Sequence, residues 1–196
     1  MRAATPMSDR IFFSLTGIWF VALTFVGFSR SFYLRVLPEP LPAHQVIHGV
    51  VYSAWVVLFL VQALLIAGHH VRWHIRLGVA SSLLLILMIP IGFHVVLVKT
   101  AAGLKSVDEA GFNLTSLTLG FTFAFAGLAC RRRPLIHKRL MVCATLMLTV
   151  AAADRVAMVV GLENVRLFRK LLAVAPAIAL VGYDVLRQCR FPRLLT

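Results

Sequence analysis

The sequence predicts an all-α integral membrane protein, a bundle of six transmembrane helices that forms one domain over residues 1–196. Hydrophobic residues make up 60% of the chain and charged residues only 14%, and the apolar residues fall into six runs separated by basic segments. A soluble domain of this length covers its surface with much more charge. The lipid bilayer is therefore the expected partner of most side chains.

The six predicted spans follow the apolar runs and cover, in order, about 11–29, 43–67, 77–98, 111–130, 140–160 and 171–186. A helix needs about 20 residues to cross the hydrocarbon core, and the first five runs have about that length or more. The first run is too long for the apolar part of a signal peptide, so we expect it to be retained. The sixth is short, which favours a homodimer or a membrane partner subunit.

Basic residues predict the orientation, because six spans place both termini on one side. That side collects the larger set of Lys and Arg: Arg2, Arg10, Arg72, Arg76, Arg131, Arg132, Arg133, Lys138, Arg139, Arg187, Arg190 and Arg193, against Arg30, Arg35, Lys99, Lys105, Arg166, Arg169 and Lys170. Positive residues concentrate in cytoplasmic loops, so both termini are predicted to be cytoplasmic in a bacterial inner membrane. The same bias explains the net charge of +13, and we expect no nucleic-acid partner.

A polar and aromatic stripe runs along the second span. Its members recur every three or four positions and therefore share one helix face: His44, His48, Tyr52, Trp55, Phe59 and Gln62. Polar side chains at membrane depth turn away from lipid, so the stripe is predicted to face the bundle interior. A glutamine at this depth is usually an interhelical hydrogen-bonding group. Alternatively, a quinone or lipid lies along the part of the stripe formed by Trp55, Phe59 and Gln62.

A short motif occurs twice. His74-x-Arg76-Leu77 opens the third span and His137-Lys138-Arg139-Leu140 opens the fifth, which predicts two parallel hairpin repeats, spans 2–3 and 4–5. One interpretation is a cytoplasmic anchor, in which His74, Arg76, His137 and Arg139 contact lipid phosphates. The other is that His74 and His137 face each other as ligands or proton carriers. The basic neighbours favour the anchor.

These motifs carry a resemblance. Together with Gly27-Phe28, His48-Gly49 and Trp55-x3-Phe59-x2-Gln62, the two His-Arg-Leu motifs are similar to those of a family of uncharacterised bacterial multi-span membrane proteins, over most of the chain. The resemblance implies a multi-span helical fold and brings no activity with it. Paired histidines on a small helical bundle also resemble membrane cytochromes b in architecture.

Polar groups within the spans form the candidate site. His48, His94 and Asp154 lie at similar distances from the outer ends of three different spans, and His44 is one turn above His48. An ionisable group in the membrane costs roughly 2.5–3.5 kcal/mol on insertion scales unless it is paired. We therefore expect these side chains to meet in one layer of the outer leaflet.

Three arrangements of this layer stay open. His44, His48, His94 and Asp154 are a suitable ligand set for a transition metal ion. Alternatively, His48 and His94 are the axial ligands of a haem b with Arg155 near a propionate. In the third arrangement the groups form a hydrogen-bond network that packs the bundle or relays protons, with Arg155 reaching outward. Tyr52, Trp55 and Gln62 are expected to support the site residues in each of the three arrangements.

The predicted function follows from these arrangements: a membrane protein with a redox or metal-handling role. The alternative is a non-catalytic bundle, either an accessory subunit or a permease for protons or small solutes. No arrangement of nucleophile and base and no phosphate-binding glycine loop is present in the sequence. Asp184 is expected to pair with Arg187, and the three cysteines, Cys130, Cys143 and Cys189, are expected to be reduced and inert.

Overall fold

The computed structural model describes residues 7–34, 40–162 and 164–190, with the backbone alone at Arg166 and over 187–190. Within these residues the regular structure is entirely helical: α1 (Met7–Gly27), a π-helical turn (Ser29–Tyr33), α2 (Ala43–Ala67), α3 (Val71–Ala101), α4 (Val107–Ala129), α5 (Pro134–Val159) and α6 (Arg166–Arg190). The all-α prediction is confirmed. Parts of the predicted loop 30–41 and of both tails lie outside the described residues, as do the side chains of Arg187 and Cys189.

Five of the helices form a closed ring. Each of α1 to α4 packs against the next helix in the chain, and α5 packs against α1, which closes the ring. The last helix, α6, lies outside the ring and packs against α5. The core fills the centre, where Trp55 is 4% exposed and donates from Nε1 to the Thr145 hydroxyl oxygen across 3.2 Å. Because this bond joins α2 to α5, it fixes the relative heights of helices on opposite sides of the ring.

Large apolar side chains cover the outside of the ring. Leu83 is 69% exposed and Val79 68%, whereas Leu85 and Met88 on the inner face of the same helix are fully buried. By length and composition, α1 to α5 are each able to cross a membrane. An apolar exterior around an apolar core is the arrangement of a multi-pass membrane protein, since lipid is the solvent for the outer surface.

The helices extend beyond the apolar runs that predicted them. α3 begins at Val71 instead of 77 and α5 at Pro134 instead of 140, and α4 gains a turn at its start. Ser106 explains that extra turn: its hydroxyl accepts from the Glu109 backbone N–H while the Glu109 carboxylate accepts from the Ser106 backbone N–H. An apolar run ends at the first polar residue, whereas a capped helix continues through polar residues.

The π-helical turn after α1 is docked on α2. The hydroxyls of Tyr33 and Ser53 are 2.5 Å apart, and the ring of Phe32 covers Gly49, where a Cβ atom would overlap it. Burial raises the pKa of the Tyr33 hydroxyl, and its hydrogen bond to Ser53 partly offsets that rise. The π-helical turn therefore stays in contact with the surface of the ring where α1 ends.

Two ion pairs hold α6 along α5. Arg139 makes a bidentate pair with Asp184, with N–O distances of 2.6 and 2.5 Å, and Asp154 lies 3.0 Å from Arg169. The interval between the two pairs is fifteen residues on both helices, or about 22 Å. α6 therefore runs antiparallel to α5 over most of its length.

Candidate functional site

The polar groups of the interior gather at the two ends of the ring. We call the end that holds Met7, the α2–α3 turn and the α4–α5 turn the terminal end. The other, which holds the start of α2, the end of α3 and the end of α5, is the distal end. The predicted metal or haem residues lie at the distal end and the His-Arg-Leu motifs at the terminal end.

Two distal histidines from neighbouring helices meet. The rings of His44 on α2 and His94 on α3 are 5.6 Å apart between centroids and almost perpendicular, at 89°. The Nε2 atom of His44 is buried and has no hydrogen-bond partner among the described residues. Both rings border a shallow groove of about 400 Å³, whose other walls are Ile47, Pro90 and Ile91. The groove therefore borders both rings, His94 is exposed in it, and the unpartnered nitrogen of His44 lies beneath its surface.

His48 lies one turn deeper and makes a different contact. Its ring stacks on that of Tyr52 with centroids 4.1 Å apart, and its Nδ1 atom is buried without a partner among the described residues. The Tyr52 hydroxyl donates to the Met88 carbonyl oxygen across 3.1 Å, which ties α2 to α3. Tyr52 therefore holds the His48 ring against α2 while it is itself bonded to α3.

Asp154 does not join the histidines. Measured along the helix axes from the Trp55–Thr145 contact, His48 lies about 10 Å and Asp154 about 14 Å toward the distal end. The two residues therefore lie at comparable heights in the ring. The Asp154 side chain is 51% exposed, however, and is turned toward Arg169 on α6. Among the residues that the structure describes, no group of three or more His, Cys, Asp or Glu side chains is placed to hold a metal ion. The expected four-ligand set is thus not formed.

Two cations lie beside the histidines. Lys99 near the end of α3 and Arg155 on α5 are both half-buried, and Lys99 is within electrostatic range of Arg155 and of His48. The Arg155 guanidinium carbon is 5.0 Å from the centroid of the Phe28 ring. Sequence reasoning placed Lys99 in a loop, because α3 was expected to end at 98. The three-residue extension of α3 brings it into the site.

At the terminal end the two motif histidines face each other. The rings of His74 and His137 are 6.4 Å apart at an angle of 83°. With its amide oriented so that every atom has a complementary partner, Gln62 accepts from the Gly78 backbone N–H across 2.9 Å and donates to His74 Nδ1 across 2.5 Å. His137 Nδ1 donates to the Gly127 carbonyl oxygen across 2.7 Å. This geometry favours the second interpretation, in which the histidines contact each other, over the lipid anchor.

The residues that follow His137 reach two further helices. Lys138 Nζ is 2.5 Å from Asp9 Oδ2 on α1, and Arg139 binds Asp184 on α6. Successive residues of a helix project about 100° apart, so three consecutive side chains contact three different neighbouring helices. Asp184 thus pairs with Arg139, whereas the side chain of its expected partner, Arg187, lies outside the described residues. Arg76 stays exposed, with its guanidinium carbon 5.4 Å from the Trp73 ring centroid.

Asp9 is the principal residue that sequence reasoning missed. It was grouped with the basic tail 1–10, yet it is only 2% exposed and also accepts a hydrogen bond from the Tyr183 hydroxyl of α6. A lone acid in a basic segment was the available indication. A buried carboxylate needs a cation and donors around it, and here α5 and α6 supply both.

The predicted stripe on α2 faces the interior. Phe59 packs edge-to-face on Phe20 with centroids 5.4 Å apart, and Gln62 reaches His74. A quinone or lipid along Trp55, Phe59 and Gln62 stays a prediction. Cys130 and Cys143 are free thiols, in line with the expectation of reduced cysteines.

Comparison of the chain with protein-family models, with curated proteins and with solved structures returned no match. Fold alone does not define a function, so the inference depends on the chemistry of the site.

Proposed function

We propose that this protein is a six-crossing bacterial inner-membrane protein that binds a transition metal ion through His44 and His94 and acts in metal handling or electron transfer. The observation that carries the proposal is the contact of these two rings, 5.6 Å apart, with the His44 Nε2 atom buried and unpartnered. Two histidines from adjacent antiparallel helices at one height provide neutral nitrogen ligands, which suit zinc, copper, iron and nickel.

The sixth crossing is supported by the position of α6. Ion pairs at both ends align it with α5, and residues 171–183 carry no charge. Six crossings return both termini to one side, and the excess of Lys and Arg there favours the cytoplasm. The two hairpins, α2–α3 and α4–α5, would then be parallel repeats whose equivalent histidines, His74 and His137, meet.

The residues present fit an open metal site better than a closed one. With Asp154 bound to Arg169, the ligand set lacks a carboxylate, and the groove beside His44 and His94 leaves further coordination positions to water or substrate. A metal ion bound there would supply Lewis-acid or one-electron chemistry. The residues of the chain hold the imidazoles in place: Tyr52 supports His48, and Pro90 and Ile91 shape the groove.

Haem b fits the arrangement less well. To bind a haem between them, the two expected axial ligands would have to leave their present partners, because His48 stacks on Tyr52 and His94 contacts His44. Lys99 and Arg155 are nevertheless well placed for propionate groups. An absorption spectrum separates the two groups, since bound haem gives a Soret band and a metal ion alone does not.

The proposal is tested by metal content. Protein purified in detergent and equilibrated with Co(II) or Cu(II) should retain roughly one ion per chain after desalting, as measured by elemental analysis. The variant His44→Ala/His94→Ala should retain on the order of a tenth or less, because both proposed ligands are removed while the His74–His137 pair is kept. His70→Ala is the matched control, since His70 is exposed at the terminal end. Equal retention in the double variant and the control would contradict the proposal.

A second candidate is a non-catalytic bundle in which the same groups pack or relay protons. Polar contacts at successive depths favour it: His48 with Tyr52, Trp55 with Thr145, Gln62 with His74, and His74 with His137. This candidate predicts that the double histidine variant unfolds at a lower temperature while metal content is low and equal in every form. The same purified samples therefore discriminate between the two functions.

A further inference from the structure

A groove at the terminal end lies between the start of α1 and the end of α2. It has a volume of about 450 Å³ and is lined by Met7, Arg10, Ile11, Ser14, Leu15 and Ala67. Its apolar residues on α1 open to the outside of the bundle, since Met7 is 76%, Ile11 51% and Leu15 60% exposed. The groove thus combines a cation and a hydroxyl with an apolar wall that faces the lipid.

Arg10 connects the two helices at the rim of this groove. Its Nη1 donates to Nε2 of His69, which directly follows α2 and Gly68. The backbone of His69 has a φ of 64°, in the left-handed region where a helix end usually places glycine. Gly68 does not take that position, since its φ is −82°. A side chain is therefore present where glycine is the common choice, and its imidazole orients Arg10.

The contact with the imidazole leaves the charge of Arg10 in place, because a ring nitrogen that accepts a hydrogen bond belongs to a neutral imidazole. Two acids are described at this end, Asp9 and Asp184, and each is paired with a cation of α5. Residues 1–6 and 191–196 contain no Asp or Glu. The rim of the groove is therefore positively charged.

Two donor atoms lie just beneath the surface of the groove. The Nε atom of Arg10 and the Oγ atom of Ser14 are buried and have no hydrogen-bond partner among the described residues. Hydroxyls on the same helices commonly donate to the carbonyl oxygen four residues back, as Thr16 does to Phe12. Ser14 is one turn deeper than Arg10 on the same face of α1. Rotation of these two side chains, without movement of the backbone, would present both donors to a ligand.

The chemistry that suits this groove is that of an anionic phospholipid. A guanidinium binds phosphate oxygens in a bidentate manner, and the end of a membrane-crossing bundle is the height at which lipid head groups lie. Leu15 lies about 7 Å deeper than Arg10, so an acyl chain that continues from the head group would cover the apolar wall. Phosphate in free solution would leave that wall uncovered, which favours the lipid.

We propose that the groove between α1 and α2 binds an anionic phospholipid, with Arg10 on its phosphate and Ser14 as a second donor toward its ester oxygens. The site is independent of the proposed metal site, because it lies at the opposite end of the ring and shares no residue with it. A lipid bound there contacts both α1 and α2 and should stabilise their packing.

The test measures lipid binding by native mass spectrometry of the full chain in detergent, titrated with phosphatidylglycerol or phosphatidylcholine. The wild-type chain should prefer phosphatidylglycerol. Arg10→Gln should bind it about tenfold more weakly, the loss expected for one charge-assisted hydrogen bond, and Ser14→Ala about threefold more weakly. Arg72→Gln is the matched control, because it removes an exposed cation at the same end and should bind as wild type does.

Equal losses in Arg10→Gln and Arg72→Gln would overturn the proposal, since they would indicate attraction by net charge alone. A wild-type chain that binds inorganic phosphate without preferring phosphatidylglycerol would assign the groove to free phosphate and also overturn it.

Photo-crosslinking of the wild-type chain gives a second measurement that does not depend on the folding of a variant. Phosphatidylglycerol with a diazirine in its acyl chain should label the segment of α1 that contains Ile11 and Leu15, as mapped by peptide mass spectrometry. An excess of unlabelled phosphatidylglycerol should suppress this labelling, and the same excess of phosphatidylcholine should not. Equal suppression by the two lipids would contradict a specific site.

Discussion

At the scale of single residues, Asp9 is the most buried charged side chain among those that the structure describes. Its carboxylate is 2% exposed and accepts from Lys138 of α5 and from Tyr183 of α6, so one side chain joins three helices. Burying a carboxylate is costly, and removing one member of such a group leaves the other charge without compensation. The charges of Asp9 and Lys138 are therefore stabilised by each other more than by the bilayer.

Asp9→Asn is expected to destabilise the protein by about 3–5 kcal/mol, the usual cost of breaking a buried ion pair. The measurement is thermal or denaturant unfolding in detergent micelles. Adding Lys138→Met should recover part of the loss, because it removes the orphaned ammonium group, and the double-mutant cycle isolates the coupling. Asp108→Asn serves as control at an exposed helix start, where a few tenths of a kcal/mol is expected. Equal effects at the two positions would contradict this account.

At the scale of helices, close approach depends on particular glycines. A Cβ on Gly27 would lie 2.6 Å from the Ala152 carbonyl oxygen, and backbone atoms cannot move aside as a flexible side chain can. At Gly111 nothing lies within 4 Å of the same atom, although that glycine is also helical. The two positions therefore separate the packing role of glycine from its effect on helix propensity.

Gly27→Ala should lower stability by about 1–3 kcal/mol, since it forces α1 away from α5. Gly111→Ala should leave stability unchanged or raise it by up to about 1 kcal/mol through the better helix propensity of alanine. Unfolding temperatures of the two variants, measured in the same detergent, check both expectations. A loss at Gly111 as large as that at Gly27 would show that the close contact is not the cause.

The helices also show what could be predicted from the sequence. The bounds of α2 were predicted as observed, because Pro42 and Gly68 mark its ends. The depth of Asp154 could be obtained by counting residues, but the face on which it points depends on where α6 packs, and no local pattern records that. Hence all four ligands were placed at one depth from the sequence, whereas the structure pairs His44 with His94 and turns Asp154 toward Arg169. The α3 and α5 starts were placed six residues late because polar residues there are helical.

At the scale of the whole molecule, the closed ring with α6 outside fixes which loops share a side. The turn at Ser106 lies at the distal end and that at Arg132 at the terminal end. In the proposed orientation, which places both termini in the cytoplasm, the first would face the periplasm and the second the cytoplasm. These assignments come from charge balance and can be checked directly.

In a background without native cysteines, Ser106→Cys should react with a membrane-impermeant maleimide added to intact cells, after the outer membrane is made permeable. Arg132→Cys should react only once the inner membrane is opened. Labelling yield on a gel is the measurement. The reverse pattern would invert the orientation, and labelling of both residues in intact cells would exclude a continuous membrane barrier between them.

The contacts of His137, Lys138 and Arg139 make this segment sensitive to spacing as well as to composition. Each side chain addresses a different helix, so a single inserted residue ahead of them would rotate all three by about 100°. Histidine would then point where lysine belongs and lysine where arginine belongs, and every attachment would be mismatched at once. A point substitution removes one contact, whereas a single inserted residue breaks the contacts of α5 with α1, α3 and α6 at the same time.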